Sequence, residues 1–523
     1  MRLATAALII MLGNVGSRLL GIVREQVIAA LFGLSGATDA FTVADRIPRA
    51  VYDLIIGSMI TALVPVFSED ADEVDPEAFW RLLNTVLTLL SIVLATVVAL
   101  LIVFTPQLVA VFGYPTEDAG GELAVRLTRV ALPVVFFLGL GGVVTAALYG
   151  RRRFVAPALA NAGYNGGIIV VALLLHERFD VLSLVLGILA GGLCQLVIQL
   201  AALGRFRLRP VIDLRHPAIV RIARLYVPVA LGVGITSIGV AIDTNLARGT
   251  GEGNISAMRF ATTLVQFPLG LVATALSHAI LPTLSRQAAE TASDEGERAF
   301  RATLGAGARL AVLAMLPAAV GLLVLRIPVI EILFQRGRFE TADTERTAVA
   351  FLAYSPGLVA AALDQLLIAA FYARRDTLTP NLVAGAGVIA YLLVALPLVG
   401  RIGMPALALA NSVQIASHML ILWVLLQRRA GSLPPGPLVP VVVKAVVATA
   451  LMTATLLGAG SLLGGLAPEP PSLATFLRLA LFFVLGVGVY GAALILLRVE
   501  EAGRAAVTVR ARLGRIAGRV GGT

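Results

Sequence analysis

Residues 133–157 read PVVFFLGLGGVVTAALYGRRRFVAP, and residues 356–380 read PGLVAAALDQLLIAAFYARRDTLTP. Pro133, Tyr149, Arg151, Arg152 and Pro157 return as Pro356, Tyr372, Arg374, Arg375 and Pro380 at one displacement, 356 − 133 = 223. Each stretch is an apolar run that stops at paired arginines, the pattern of a spanning helix meeting a membrane face. A second set, Ala40, Ala44, Ala62, Pro65 and Ser68, returns as Ala257, Ala261, Ala279, Pro282 and Ser285, displaced by 217 residues. Two sets in the same order at nearly equal displacements mark an internal duplication. Six spans separate the copies, so both halves face the same way. Parallel repeats around a midplane cavity are a transporter architecture.

The rest of the chain agrees with a lipid environment. It has 523 residues, 58% hydrophobic and 14% charged, with a mean hydropathy of +0.92. A soluble domain is about 45–50% apolar and about 25% charged, so a water-exposed fold cannot hide this surface. Windows of about 20 apolar residues place spans at 3–28, 38–66, 79–104, 122–149, 154–175, 181–204, 217–248, 255–284, 301–326, 344–373, 378–400, 403–427, 439–462 and 474–497. The expected fold is an all-α polytopic membrane protein of about fourteen helices, two parallel six-helix lobes and a C-terminal pair. The divisions are 1–210 and 211–430 for the lobes, 431–498 for the pair, and 499–523 for a basic tail.

The net charge of +10 comes almost wholly from arginine, Lys444 being the one lysine. These arginines sit at the ends of apolar runs rather than on one soluble face, which argues against nucleic acid. The inner loops take Arg151–Arg153, Arg205, Arg207, Arg209, Arg215, Arg374, Arg375, Arg428 and Arg429, while most outer loops are neutral or acidic. Both termini are therefore expected on the cytoplasmic side. The exception is 326–346, with Arg326, Arg336 and Arg338. No small-residue cleavage site follows Leu3–Leu12, so the first run is expected as an uncleaved span. Cys194 is alone and the four histidines (His176, His216, His278, His418) have no ligand spacing, so neither a disulfide framework nor a metal site is expected.

Charge inside the spans is the functional signal. The first two carry Arg18, Arg24, Glu25, Asp39, Asp45, Arg46, Arg49 and Asp53; the seventh carries Asp243 and Arg248, the eighth Arg259 and the tenth Asp364. A charge at mid-bilayer costs at least about 2.5–3.5 kcal/mol, so these groups must line water or pair. Arg24, Arg46, Arg49 and Arg248 are long enough to snorkel at helix ends. Arg18, Asp39 and Asp243 fit a cavity role better. Prolines 48, 65, 268 and 282 let these helices bend.

Ser17-Arg18-Leu19-Leu20-Gly21 through Arg24-Glu25, then Ala37-Thr38-Asp39-Ala40-Phe41, resemble the opening of the MurJ (MviN) lipid II flippases of the MOP exporter superfamily. Gly253-Asn254-Ile255-Ser256-Ala257, Gln266-Phe267-Pro268, Ile280-Leu281-Pro282, Phe334-Gln335-Arg336-Gly337 and Phe371-Tyr372-Ala373-Arg374 continue it. The resemblance implies fourteen helices and an undecaprenyl-pyrophosphate-linked peptidoglycan precursor as substrate. It also implies a cationic central cavity and a lipid-tail groove formed with Val439–Leu497. Arg18, Arg24, Glu25 and Asp39 match its cavity positions. Tyr52 and Thr263 stand where other members carry arginine, and Gln266 where they carry an acid. Arg49 and Arg259 lie one helical turn away from Tyr52 and Thr263 and are expected to supply the missing charge.

The substrate-binding set is thus Arg18, Arg24, Glu25, Asp39, Arg49 and Arg259. Asp243 with Thr379 and Asn381 is the expected coupling-ion site. No cofactor is expected; membrane potential or a monovalent cation would drive the cycle. Expected partners are the lipid-linked substrate, the bilayer of a bacterial cytoplasmic membrane and the cell-wall synthesis machinery, with the chain itself a monomer. An intramembrane glycosyltransferase is disfavoured, because the longest loops, 67–78 and 285–300, are too short for the sizeable aqueous domain it would need. A scaffold has no need of buried charge. Export of another polyprenyl-linked glycan is the alternative within the class.

Overall fold

The computed structural model describes residues 3–57, 63–64, 66–68, 76–115, 117–204, 209–211, 234, 237–290, 293–430, 438–463 and 472–503, and no strand occurs among them. The first helices are α1 Leu3–Phe32, α2 Gly36–Tyr52, α3 Pro76–Val103, α4 Thr105–Val111, α5 Ala119–Ala131, α6 Val134–Gly150, α7 Val155–Phe179 and α8 Leu182–Leu203. Helix α9 covers 237–248. Then come α10 Asn254–Pro268, α11 Thr274–Ala289, α12 Asp294–Val324, α13 Arg326–Phe334, α14 Thr341–Tyr354, α15 Gly357–Ala373, α16 Leu378–Ile402, α17 Met404–Ala430, α18 Leu438–Leu463 and α19 Leu473–Leu496. Ten helices or joined helices among the described residues are long and apolar enough to cross a membrane, and α14–α15, bent by 50°, makes an eleventh. The expected spans outside that count are the two charged N-terminal ones and the seventh, most of which lies outside the described residues. The tail beyond 503 lies outside them too.

Packing divides the chain into two compact units. The first runs to Arg259 and takes in Arg336–Glu340; the second holds Phe260–Gln335 and the chain from Thr341 onward. The expected division at 210/211 followed the repeat, whereas packing carries 237–259 and a five-residue strap with the first unit. That strap is pinned at Gly337, whose φ is +62°, while the Arg338 amide donates to the Ala30 carbonyl at 2.9 Å. A Cβ at Gly337 would stand 2.1 Å from the same carbonyl oxygen, so only glycine fits.

The duplication is visible in the backbone of each unit. Helices α6 and α7 are displaced by 223 residues from α15 and α16 at every one of their four ends. The αL residue that stops α6 is Arg152 (φ 56°), and the one that stops α15 is Arg375 (φ 60°). Arg151 lies 3.8 Å over the buried Phe79 ring of α3, and Arg374 lies 4.4 Å over the buried Phe300 ring of α12. The two prolines that open the quoted stretches also break their spans: Pro133 separates α5 from α6, and Pro356 separates α14 from α15. A proline has no amide to donate, which ends one helix, yet it suits the first turn of the next. Five-residue π-helical turns follow α2 and α10 at Asp53–Gly57 and Leu269–Ala273.

Within the first unit α7 and α8 approach through glycines, the small-residue contact of spanning helices. A Cβ on Gly191 would stand 2.4 Å from the Tyr164 carbonyl oxygen, and one on Gly167 2.5 Å from the Gly191 Cα. In the second unit the C-terminal pair packs on α12 around Val312, Leu313, Met452, Phe482 and Tyr490. The Tyr490 hydroxyl donates to the Leu313 carbonyl at 2.8 Å. Elsewhere the long helices expose Leu174, Leu393, Phe483 and Leu496, which suits lipid rather than water.

Replacing Gly191 by valine should push α8 off α7 and lower stability by about 1–3 kcal/mol. Thermal melting in detergent checks this; an unchanged midpoint would mean that the close approach is not needed.

Candidate functional site

α2 begins properly capped: the Ser35 hydroxyl accepts from the Thr38 amide at 3.2 Å. Beyond the cap, α2 alternates charge with apolar residues, and Phe41, Val43, Ala44 and Ile47 are buried. Asp45 and Arg49 are four residues apart and share a face, with Arg49 Nη2 3.7 Å from Asp45 Oδ1.

The centre of the cluster is Glu25 on α1, whose side chain is 4% exposed. Arg24 Nη2 and Nε donate to Glu25 Oε1 at 2.6 and 3.2 Å. Arg259, from the start of α10, donates Nη2 to Oε1 and Nε to Oε2, both at 3.0 Å. Arg259 Nη1 also lies 3.5 Å from Asp45 Oδ2, and its guanidinium stacks 5.1 Å from the Phe41 ring centre. Arg24 reaches onward to Asn165 Oδ1 on α7 at 3.1 Å. Three arginines therefore share two carboxylates. Beside the cluster lies a cavity of about 250 Å³ lined by Asp45, Arg49, Tyr52, Asp53, Asn161, Tyr164 and Gln195.

The structure thus brings Arg24, Glu25, Arg49 and Arg259 together, and adds Asp45 and Asn165, which the sequence set lacked. Arg18 is on the same helix as Arg24 and is exposed. Asp39 stands at the other end of the same contact between α2 and α10. It is 1% exposed and its carboxylate caps the start of α10. Oδ2 accepts from the Gly253 amide at 2.7 Å, and Oδ1 from the Ser256 amide at 2.8 Å and its hydroxyl at 2.7 Å. A carboxylate satisfies both the unpaired amides and the positive end of the helix, so it fixes α10, and hence Arg259.

Asp243 is half-buried in α9. Thr379 and Asn381, assigned to the coupling ion, are occupied at the start of their own helix. The Thr379 amide and hydroxyl donate to Asp376 at 2.9 and 2.6 Å, and Asn381 Nδ2 donates to the Thr377 carbonyl at 2.9 Å. Burial pushes the Asp376 carboxyl up, but bonds from Thr379 and Arg429 outweigh it and hold it below the usual carboxylate range.

A guanidinium fork that grips a carboxylate also fits a phosphate. Helical lobes built on a parallel repeat, with such a cluster buried in one of them, define a polytopic membrane transporter, not an enzyme. Residues 28–467 match the family model for lipid II flippase MurJ. The lipid II flippase MurJ of Burkholderia cenocepacia is 31% identical over 435 residues, 80% of this chain and 83% of its own. The probable lipid II flippase MurJ of Rhizobium meliloti is 29% identical, spanning 93% of this chain and 94% of its own. A solved lipid II flippase MurJ in an inward closed conformation has the same fold, with a TM-score of 0.77 at 20% identity over 94% of this chain and 99% of that one. An inward-facing multidrug resistance MATE transporter of the MOP superfamily gives 0.59 at 16% identity, over 79% and 99%. The chain belongs to the lipid II flippase MurJ family, and it is a multi-pass protein of the cytoplasmic membrane.

Two measurements check this geometry. Glu25→Gln leaves three arginines facing one carboxylate and should cost about 3–5 kcal/mol of stability, read as a lower melting midpoint; a midpoint equal to the parent's contradicts the shared-carboxylate reading. Asp376 titrates below the usual range when folded, so its contribution is complete above about pH 4 and lost as pH falls through the lowered value. The gap in melting midpoint between the parent and Asp376→Asn should therefore close in acid, and a gap that stays constant rules the cap out.

Proposed function

We propose that this chain carries lipid II, an undecaprenyl-pyrophosphate-linked peptidoglycan precursor, from the inner to the outer face of the membrane by alternating access. The observation that carries the reading is the convergence of Arg24 and Arg259, 235 residues apart in sequence, on the single carboxylate of Glu25. An arriving pyrophosphate replaces that carboxylate at the forks while Glu25 takes up a proton, and on release Glu25 loses the proton and takes the arginines back. Desolvating two arginines is compensated in both states, so neither is a trap. Arg49 extends the surface, and Arg18, exposed on α1, is proposed as an entry contact. In the second unit an apolar cavity of about 670 Å³, lined by Phe267, Leu271, Met452, Phe476, Phe483 and Tyr490, has the size and lining to take polyprenyl chain.

Both termini face the cytoplasm in this proposal. The membrane potential, worth about 2.3 kcal/mol per charge per 100 mV, or a monovalent cation biases the return step. Cell-wall synthases are the proposed neighbours, and the chain works as a monomer. The substitutions Tyr52, Thr263 and Gln266 favour testing a second head group, another polyprenyl-linked glycan.

The test is flipping of fluorescent lipid II in liposomes. One charge-assisted bond is worth about 1.5–3 kcal/mol, so Arg24→Ala and Arg259→Ala should each weaken lipid II binding at least about tenfold. Lysine should rescue poorly, because a point charge does not reproduce the fork. Normal flipping by both alanine variants would put the pyrophosphate site elsewhere, and transport of a non-peptidoglycan glycan in place of lipid II would change the substrate. Labels at 151–153 and 374–375 should be shielded from outside reagents and those at 249–254 should react; outside labelling of both arginine loops overturns the orientation.

A further inference from the structure

Asp364 and His418 take no part in the arginine cluster. Asp364 is the eighth residue of the seventeen in α15, and His418 the fifteenth of the twenty-seven in α17, so both lie near the middle of their helices. Their side chains are 15% and 12% exposed. His418 Nδ1 stands 2.6 Å from Asp364 Oδ1, and Nε2 stands 3.1 Å from the backbone carbonyl of Pro380 on α16. One imidazole therefore ties three helices together.

The number of protons follows from the partners. A carbonyl oxygen only accepts, so Nε2 must carry hydrogen to bond with Pro380. The short contact to Asp364 then needs a second hydrogen, riding either on Nδ1 or on the carboxyl. With only one, the ring must either turn a bare Nδ1 toward a carboxylate or take the other tautomer and turn a bare Nε2 toward the Pro380 carbonyl. In both cases one of the two bonds is lost.

Among the described residues, the charged groups of the elements packed around the pair are engaged elsewhere or stand near helix ends. Arg301 and Arg374 pair with Glu297, Arg309 with Glu501 and Arg429 with Asp376. Arg286, Arg401 and Arg428 fall in the last turns of α11, α16 and α17. Asp343, Glu345 and Arg346 lie in the first turns of α14, and Tyr391, on α16, is eleven residues past Pro380. Within hydrogen-bonding reach of the ring, Asp364 is its charged partner.

We propose that the Asp364–His418 pair is a proton-binding site inside the second unit. Its occupancy fastens α15 and α16 to α17 through the two contacts of the imidazole, and its emptying removes one of the two. The ligand is a single proton exchanged with water, and no other bond is made or broken. As a coupling device for flipping the site rests on the transport reading; as a proton site it stands without it.

The chain supplies its own probe. Trp423, five residues past His418, packs against the buried cluster that includes Leu366, Leu367 and Val383 of α15 and α16, and Trp80 is the only other tryptophan. Trp423 emission of the full chain carrying Trp80→Phe would be followed in liposomes from about pH 5 to about pH 10, a range that includes the ordinary histidine transition. The expected result is one single-proton transition that disappears in both His418→Gln and Asp364→Asn, each confirmed as folded by its chromatographic profile. Asp364→Asn keeps the side-chain volume, so it decides the matter if the histidine variant fails to fold. A transition that persists unchanged in Asp364→Asn, no transition in the parent, or one that follows sodium instead of pH would overturn the site. Because the readout needs no lipid II, its failure is separable from failure of the flippase reading.

Discussion

A buried carboxylate held by two arginines is the constraint on which the first unit is organised. Glu25 cannot remain charged at 4% side-chain exposure without partners, and Arg24 and Arg259 cannot enter the same space without an anion. Their mutual need fixes the start of α10 against α1. Asp39 then fixes the same helix end by a second route, through its bonds to Gly253 and Ser256. With two anchors on one helix start, the position of Arg259 rests on the cap as well as on its own side chain.

The duplicated architecture places bending points in matching places. α2 and α10 each run into a π-helical turn, at Asp53–Gly57 and Leu269–Ala273, and Pro48 and Pro268 precede them. A π turn loosens the regular hydrogen-bond ladder and often marks a functional site. Asp53 and Tyr52 line the cavity beside the arginines, and Leu271 and Val272 line the apolar cavity of the second unit. Each repeat therefore sets its weakest helical turn beside a space of its own, polar in one unit and apolar in the other.

Much of the fold was legible because it rests on local pattern. The stretches 133–157 and 356–380 declared both the repeat and the helix ends at their arginines, and α18 and α19 fall within a residue of the apolar windows that anticipate them. The breaks at Pro133 and Pro356 were visible as residues but not as boundaries, since apolar runs continue across them. The short helix α13 was anticipated as an outer loop, because Arg326 reads as a loop charge; instead its guanidinium donates to the Leu323 carbonyl at the preceding helix end. The partners of Asp39 were not legible, because they are more than two hundred residues away. Asp45 reads as an in-span charge but stands outside the binding set, Asn165 is joined to Arg24 only by the fold, and His418 was missed because one histidine without ligand spacing carries no signal until Asp364 is seen beside it.

Exchange of Glu25 for a pyrophosphate is the central claim, and binding affinity tests it most directly. Undecaprenyl pyrophosphate would be titrated against the parent and Glu25→Gln in matched detergent. Glutamine removes the competing negative charge while leaving Arg24 and Arg259 in place, so the variant, though less stable, should bind the pyrophosphate more tightly than the parent. Equal or weaker binding by a folded Glu25→Gln chain would show that the carboxylate supports the anion site instead of competing for it, and would contradict the account.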